Sequence, residues 1–312
     1  MIHHKQTDRS TATSKGVAVK IQSKTESARK PLGLNRDDDL IKPEFTTLDG
    51  LTIRYATSPK QGAETVVLLS PWPESIYAYL PTWQRLAERF SVVAVDLPGF
   101  GQSEGRQDLM STRAMGEFVV GLMSSFDIDA PHAVGPDIGT GALLWAAVTH
   151  PDAIRSIVIG AGGATFPLQV EGLLKTFIDA GTIEPFKGLD PAEVISQSVK
   201  SIKNYDVPTI VRDDYTKSYS GDRFAQSVAY VQSYPSDLEA LAPKLSSLTM
   251  PVQILVGRDD PYGLASDAER LDQKLSHSRL QVFPTGHNAW EEDPIAYADA
   301  IRDWVNGGYL RV

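Results

Sequence analysis

The stretch Gly135-Pro136-Asp137-Ile138-Gly139 places a carboxylate at the centre of a G-x-D-x-G turn. An apolar segment precedes the turn and a segment of small and apolar residues follows it, which is the strand–turn–helix context of a nucleophile elbow. Such elbows usually carry Ser at the centre. A carboxylate is already ionised at pH 7, so it needs no base before it attacks. Asp137 is therefore a candidate nucleophile.

A carboxylate nucleophile restricts the chemistry. Attack on an ordinary ester carbonyl would form an anhydride, which gains nothing. We therefore expect displacement at a saturated carbon that bears a leaving group, either an epoxide carbon or a carbon bonded to halogen. The product of this step would be a covalent alkyl ester on Asp137.

Two further polar residues follow predicted strands later in the chain. Asp260 comes after "ILVGRD" and His287 after "VFPTG", so the order is nucleophile, acid, histidine. We predict that His287 acts as general base on the water that hydrolyses the ester, and that Asp260 orients its imidazole. Asp259 is the alternative acid, and both acids also suit a turn before Pro261.

The elements that must position these residues alternate along the chain. Asp49-Gly50 predicts a β-hairpin turn, and short apolar runs such as "TVVLLS" predict parallel strands buried on both faces. Amphipathic segments separate the runs. The alternation predicts an α/β fold with a mostly parallel sheet flanked by helices. Catalytic groups in such sheets lie beyond the carboxyl ends of the strands.

The pattern also predicts a domain organisation. Residues 1–42 are rich in Lys, Arg, Ser and Thr and read as a disordered tail. Residues 43–163 and 246–312 form the predicted core. Residues 164–245 show helical patterning, several Tyr and no convincing strand, so we predict an inserted helical cap that shapes a pocket and excludes water.

Composition narrows the function classes. The 312 residues carry a net charge of −9, which argues against a nucleic-acid partner. The absence of Cys excludes thiolate zinc sites and Cys nucleophiles. No apolar run reaches the length of a membrane span, and the N-terminal stretch has no apolar core typical of a secretory signal. We expect a cytoplasmic protein that acts on a small apolar to moderately polar organic substrate without a metal or cofactor.

Five motifs together carry a family resemblance: "SPWPESIYAYLPTW", "VDLPGFGQSEG", "GPDIGTG", "GRDDP" and "GHNAWEEDP". From Phe45 onward the chain resembles the α/β-hydrolase superfamily, and within it the Asp-nucleophile branch of epoxide hydrolases and dehalogenases. The resemblance implies an oxyanion hole formed by the backbone N–H groups of Trp72 and Ile138, and a cis peptide before Pro73. It also implies Tyr230 as the cap residue that protonates the leaving oxygen of an epoxide.

The chain departs from this resemblance at two places. Ser70-Pro71 replaces the His-Gly pair of such relatives, which stiffens the loop and removes one N–H. Ile138 replaces the Trp that usually follows the nucleophile, so one indole donor for a halide is missing. Trp72 remains as a possible indole donor.

Four functions stay open at this point. The first is an epoxide hydrolase-like enzyme, and the second is a haloalkane or haloacid dehalogenase. The third is another enzyme of this fold, and the fourth is a catalytically silent binding protein.

Glu291 and Glu292, near His287, are expected to open the last helix, where their negative charges interact favourably with the helix dipole.

Overall fold

A computed structural model of the protein describes residues 41–312. The predicted tail, residues 1–42, lies outside the described residues except for its last two positions. Every strand that the sequence predicts is present, including both strands of the hairpin. The eight strands are β1 Glu44–Leu48, β2 Leu51–Ser58, β3 Thr65–Leu69, β4 Ser91–Val95, β5 His132–Pro136, β6 Ser156–Gly160, β7 Val252–Gly257 and β8 Ser278–Phe283.

The strands form one sheet in the order β1-β2-β4-β3-β5-β6-β7-β8. β1 and β2 pair antiparallel with each other, and β2 pairs antiparallel with β4. The remaining pairs in this order, from β4–β3 to β7–β8, are all parallel. β5, β6 and β7 are buried along their whole length, which explains their continuous apolar sequences. The predicted α/β fold with a mostly parallel sheet is therefore confirmed.

Helices flank this sheet. The helix that follows the elbow is buried along most of its length and packs against the helix before it, while the first and last helices pack together. Within residues 41–312, the α-helices outside the β6–β7 connection are α1 Leu80–Ala87, α2 Thr112–Ser125, α3 Ile138–Thr149, α9 Leu264–Lys274, α10 Ala289–Glu292 and α11 Pro294–Val305.

The connection from β6 to β7 is helical. Its five helices are α4 Gly172–Asp179, α5 Pro191–Ser201, α6 Thr209–Ser218, α7 Arg223–Gln232 and α8 Tyr234–Leu241. We call this connection the cap.

A buried ion cluster ties the cap to the sheet. The Arg54 guanidinium on β2 donates to both carboxylate oxygens of Asp214 on α6, at 2.6 and 3.0 Å, and to Asp96 after β4 at 2.5 Å. Asp96 in turn accepts the Ile76 N–H, close to the loop after β3. The charges of Arg54 and Asp96 therefore hold both the segment after β3 and cap helix α6 in place.

No helix within residues 41–312 is long and apolar enough to cross a membrane.

Candidate active site

Asp137 stands at the point where β5 turns into α3. Its backbone has φ 52° and ψ −120°, a conformation that costs a non-glycine residue on the order of 1–3 kcal/mol. The turn is tight enough that a Cβ on Gly135 would lie 2.8 Å from Leu143 and 3.0 Å from the Gly139 carbonyl oxygen. Gly135 is thus needed for close packing of β5 against α3. The strained turn projects the carboxylate beyond the end of the strand.

Backbone N–H groups hold one side of this carboxylate. The Trp72 N–H donates to Asp137 Oδ2 at 2.6 Å, and the Ile138 N–H also donates to the carboxylate. Burial raises the pKa of Asp137 to about 6, although the His287 charge and these two N–H groups lower it. The same N–H pair would hold the negative oxygen formed when water attacks an ester of Asp137.

His287 faces the other carboxylate oxygen. Its Nε2 lies 3.9 Å from Asp137 Oδ1, and its Nδ1 lies 2.8 Å from Asp260 Oδ2. The second oxygen of Asp260 accepts the Tyr262 N–H at 2.8 Å. Since Asp260 is an acceptor, Nδ1 carries a proton and Nε2 points to Asp137. The structure places Asp259 elsewhere, paired with Arg258 and half exposed.

Several charges act on His287. Burial by itself would lower its pKa, but the negative charges of Asp260, Asp137 and Glu74 together raise the pKa to about 9. His287 is therefore an imidazolium paired with the Asp137 carboxylate near pH 7. Removal of the Asp137 charge would lower the proton affinity of His287 and make it available as a base.

Asp137 and His287 open on a cavity of about 670 Å³ between the sheet edge and the cap. One wall is apolar, and α5 contributes a polar wall with Glu193, Gln197 and Ser201. No Lys or Arg stands among the lining residues in the described part of the chain. The lining comprises Trp72, Pro73, Asp137, Leu173, Leu174, Phe177, Pro185, Phe186, Leu189, Asp190, Glu193, Val194, Gln197, Ser198, Ser201, Phe224, Tyr262, His287 and Asn288.

The structure does not bring Tyr230 to this cavity. Its hydroxyl donates to the Ile138 carbonyl oxygen at 2.8 Å, and its side chain is fully buried. Tyr230 thus bonds the carbonyl of Ile138, the residue whose N–H contacts the Asp137 carboxylate. The tyrosine that does line the cavity is Tyr262, whose ring meets His287 edge-on at 4.9 Å between centroids. The sequence predicted a proton-donating tyrosine from the cap, whereas Tyr262 comes from the loop after β7 that carries Asp260.

The loop after β3 keeps the expected cis peptide and the Trp72 N–H contact despite the replaced residues. The Trp72–Pro73 peptide is cis, as the resemblance implies. Pro71 removes one N–H, but the N–H of Trp72 still reaches Asp137. The Trp72 indole Nε1 instead donates to the Ser227 hydroxyl at 2.8 Å, so it is not directed at a leaving group.

Three buried acids lie near the site, and no local pattern in the sequence predicted that they belong to it. Glu74 lies in the loop after Trp72, and its carboxylate accepts from Asn288 and Trp290. Glu291 and Glu292 are also buried, in the short helix α10, so the expectation that they open the last helix is wrong. α11 begins at Pro294 instead. For Glu291 and Glu292, their position directly after Trp290 and close to His287 was the available signal.

Within residues 41–312, no cluster of three or more His, Asp or Glu side chains is placed to hold a metal ion.

Comparisons with known proteins agree with this architecture. The chain is 33% identical over 142 residues to the dihydrolipoyllysine-residue acetyltransferase component of an acetoin cleaving system from Cupriavidus necator, but spans only 38% of that protein's length. It is 24% identical to the putative carbamate hydrolase RutD from Caulobacter sp. strain K31, covering 84% of this chain and 97% of the relative.

Solved structures show the same fold. Epoxide hydrolase A from Mycobacterium thermoresistibile matches with a TM-score of 0.71 at 17% identity, covering 86% of this chain and 99% of that one. Haloalkane dehalogenase DbeA from Bradyrhizobium elkani matches with a TM-score of 0.70 at 18% identity, covering 86% and 98%. Residues 64–294 match the family described as alpha/beta hydrolase fold. The chain therefore belongs to the alpha/beta hydrolase fold family.

Proposed function

We propose that this protein is an epoxide hydrolase-like enzyme that uses Asp137 as its nucleophile. The observation that supports this proposal is that the two oxygens of the Asp137 carboxylate have different surroundings. Oδ2 accepts the Trp72 N–H at 2.6 Å, while Oδ1 faces His287 at 3.9 Å beside the cavity. One oxygen is thus held where an oxyanion will form, and the other is free to attack.

In the first step, Asp137 Oδ1 attacks an epoxide carbon, and the ring C–O bond breaks with its electrons passing to the ring oxygen. That oxygen takes a proton from the Tyr262 hydroxyl, the phenol that lines the cavity. The His287 imidazolium then returns a proton to the Tyr262 phenolate. The result is an alkyl ester on Asp137 and a neutral His287, whose proton affinity has fallen because the ester carries no charge.

In the second step, neutral His287 takes a proton from water, and the resulting hydroxide attacks the carbonyl carbon of the Asp137 ester. The oxygen that becomes negative is held by the N–H groups of Trp72 and Ile138. The intermediate collapses by breaking the ester C–O bond, and the new carboxylic acid gives its proton to the departing alkoxide. The diol leaves, and Asp137 and His287 return to their starting charges.

The donors around the site favour an epoxide over a halide. A leaving halide needs N–H donors, but the Trp72 indole is bonded to Ser227 and the Trp290 indole to Glu74. A haloacid substrate needs a cation for its carboxylate, and the lining instead contains Asp190 and Glu193. A neutral epoxide needs only one proton, which Tyr262 can supply.

The test is to trap the covalent intermediate. Purified His287→Gln is incubated with a panel of epoxides and alkyl halides in alkaline buffer, where Asp137 is ionised, and the peptide containing Asp137 is analysed by mass spectrometry. An epoxide should add its full mass, because ring opening loses no atom. An alkyl halide would instead add its mass less that of the hydrogen halide.

The matched control is the variant Asp137→Asn, which lacks a carboxylate nucleophile but has nearly the same shape. It should form no adduct. Wild-type protein should release diol from the same epoxides that label His287→Gln. Adducts from halides alone would show a dehalogenase, and the absence of any adduct or turnover across the panel would reject the covalent mechanism.

A further inference from the structure

Glu74 and Glu291 form a carboxyl pair buried behind His287. Both side chains are almost fully shielded from solvent, and their carboxyl groups are in hydrogen-bonding contact. Two ionised carboxylates in such contact would repel each other strongly in a low-dielectric interior. A proton between them converts the repulsion into a hydrogen bond.

The hydrogen bonds around Glu74 and Glu291 support a proton between the two carboxyl groups. Asn288 Nδ2 donates to Glu74 Oε1 at 2.5 Å, and Trp290 Nε1 donates to Glu74 Oε2 at 2.9 Å. The Tyr215 hydroxyl donates to Glu291 Oε1 at 3.2 Å. Glu291 Oε2 is fully buried and receives no donor. Three of four oxygens are therefore satisfied by neighbouring side chains, and a proton shared by the pair would satisfy the fourth.

The pair is tied to the catalytic histidine through the chain that follows it. Asn288 is the residue after His287, and the Trp290 ring meets the imidazole edge-on at 5.7 Å between centroids. Both of these residues donate to Glu74. Through these two hydrogen bonds, the pair holds the backbone that follows His287 and the Trp290 ring that packs against its imidazole. The Glu74 charge also acts on the imidazole, together with the charges of Asp260 and Asp137.

We propose that Glu74 and Glu291 share one proton, and that the pair acts as a positioning unit that orients His287 and sets its affinity for protons. The inference deepens the proposed function, since it assumes His287 as the base. Cap helix α6 contributes Tyr215, so cap and core meet at this pair. The other ionisable groups that face the pair are Asp137, His287, Tyr79, Tyr205 and Glu292.

The variant Glu291→Gln tests the shared proton. Its amide oxygen can accept from Tyr215 and its amide N–H can donate to Glu74, so the contact is kept without a carboxyl proton. Infrared spectra of protein labelled with ¹³C at the glutamate carboxyls should show a protonated-carboxyl band near neutral pH in the wild type. That band should be lost in Glu291→Gln and kept in the control Glu239→Gln, an exposed acid on α8.

The link to His287 is read from its own titration. In Glu291→Gln the full negative charge stays on Glu74, next to His287, so NMR of labelled histidine should report a higher pKa for His287 than in the wild type. In Glu74→Gln the pKa should fall, because the nearer charge is removed. Thermal unfolding shows that each variant is folded before it is compared.

These measurements need no substrate, so they stand apart from the trapping experiment. A wild-type spectrum without the protonated band, or a band unchanged in Glu291→Gln, would overturn the shared proton. A His287 pKa that is the same in the wild type and both variants would overturn the positioning role, even if the covalent mechanism holds.

Discussion

Replacing His287 by Gln should change the pH at which Asp137 becomes reactive. In the wild type the His287 pKa is raised to about 9, so the imidazolium is charged where Asp137 titrates, near pH 6. Its positive charge stabilises the ionised carboxylate. Glutamine is neutral and removes that stabilisation, so Asp137 should hold its proton to higher pH.

The size of the change follows from the separation of the two groups. At 3.9 Å, one pair of unit charges is worth about 4 kcal/mol at an effective dielectric constant of 20 and about 1 kcal/mol in bulk water. Because about 1.4 kcal/mol corresponds to one pH unit, the acid limb of alkylation should move upward by between about 1 and 3 pH units. Both side chains are largely shielded from water, which favours the upper part of this range.

The assay is the rate of adduct formation on Asp137 as a function of pH, measured by rapid quench and intact-protein mass spectrometry. In the wild type, the rate of alkylation should fall as the pH decreases through about 6. In His287→Gln, the same fall should occur at a pH well above 6. His277→Gln, which changes an exposed histidine, should match the wild type. A limb in His287→Gln at or below the wild-type pH would refute the electrostatic pairing of the two residues.

Four further outcomes are expected. Asp260→Asn should slow hydrolysis of the ester by about 100- to 10,000-fold in single-turnover experiments, because the imidazole loses its orienting acceptor, whereas Asp259→Asn should behave like the wild type. Tyr262→Phe should slow ring opening of epoxides far more than it slows ester hydrolysis. Tyr230→Phe should instead lower the free energy of unfolding by about 1 kcal/mol, seen in urea denaturation, since its hydroxyl bonds a buried carbonyl. Arg54→Met should lower that free energy by about 3–5 kcal/mol, because two buried carboxylates lose their cation. A loss under about 1 kcal/mol would contradict this account of the cluster.

Much of the fold could be predicted from local patterns. Continuous apolar runs separated by amphipathic segments indicate buried parallel strands and covering helices, and all eight strands were expected where they occur. The placement of Asp137, Asp260 and His287 after strands also predicted that they would meet, because parallel strands end at one edge of a sheet. These inferences need only the sequence, since periodicity and strand polarity are properties of neighbouring residues.

The partners of individual side chains could not be predicted in this way. Tyr230 has suitable spacing in the cap, yet packing turns its hydroxyl onto the Ile138 carbonyl, while Tyr262 reaches the cavity from another loop. Nothing local relates Glu74 to Glu291, which are brought together from positions more than 200 residues apart. The sequence by itself therefore determined the fold, the candidate nucleophile and the order of the candidate catalytic groups. Tertiary structure alone decided which donors and charges surround them, because hydrogen bonds and burial depend on residues that are distant along the chain.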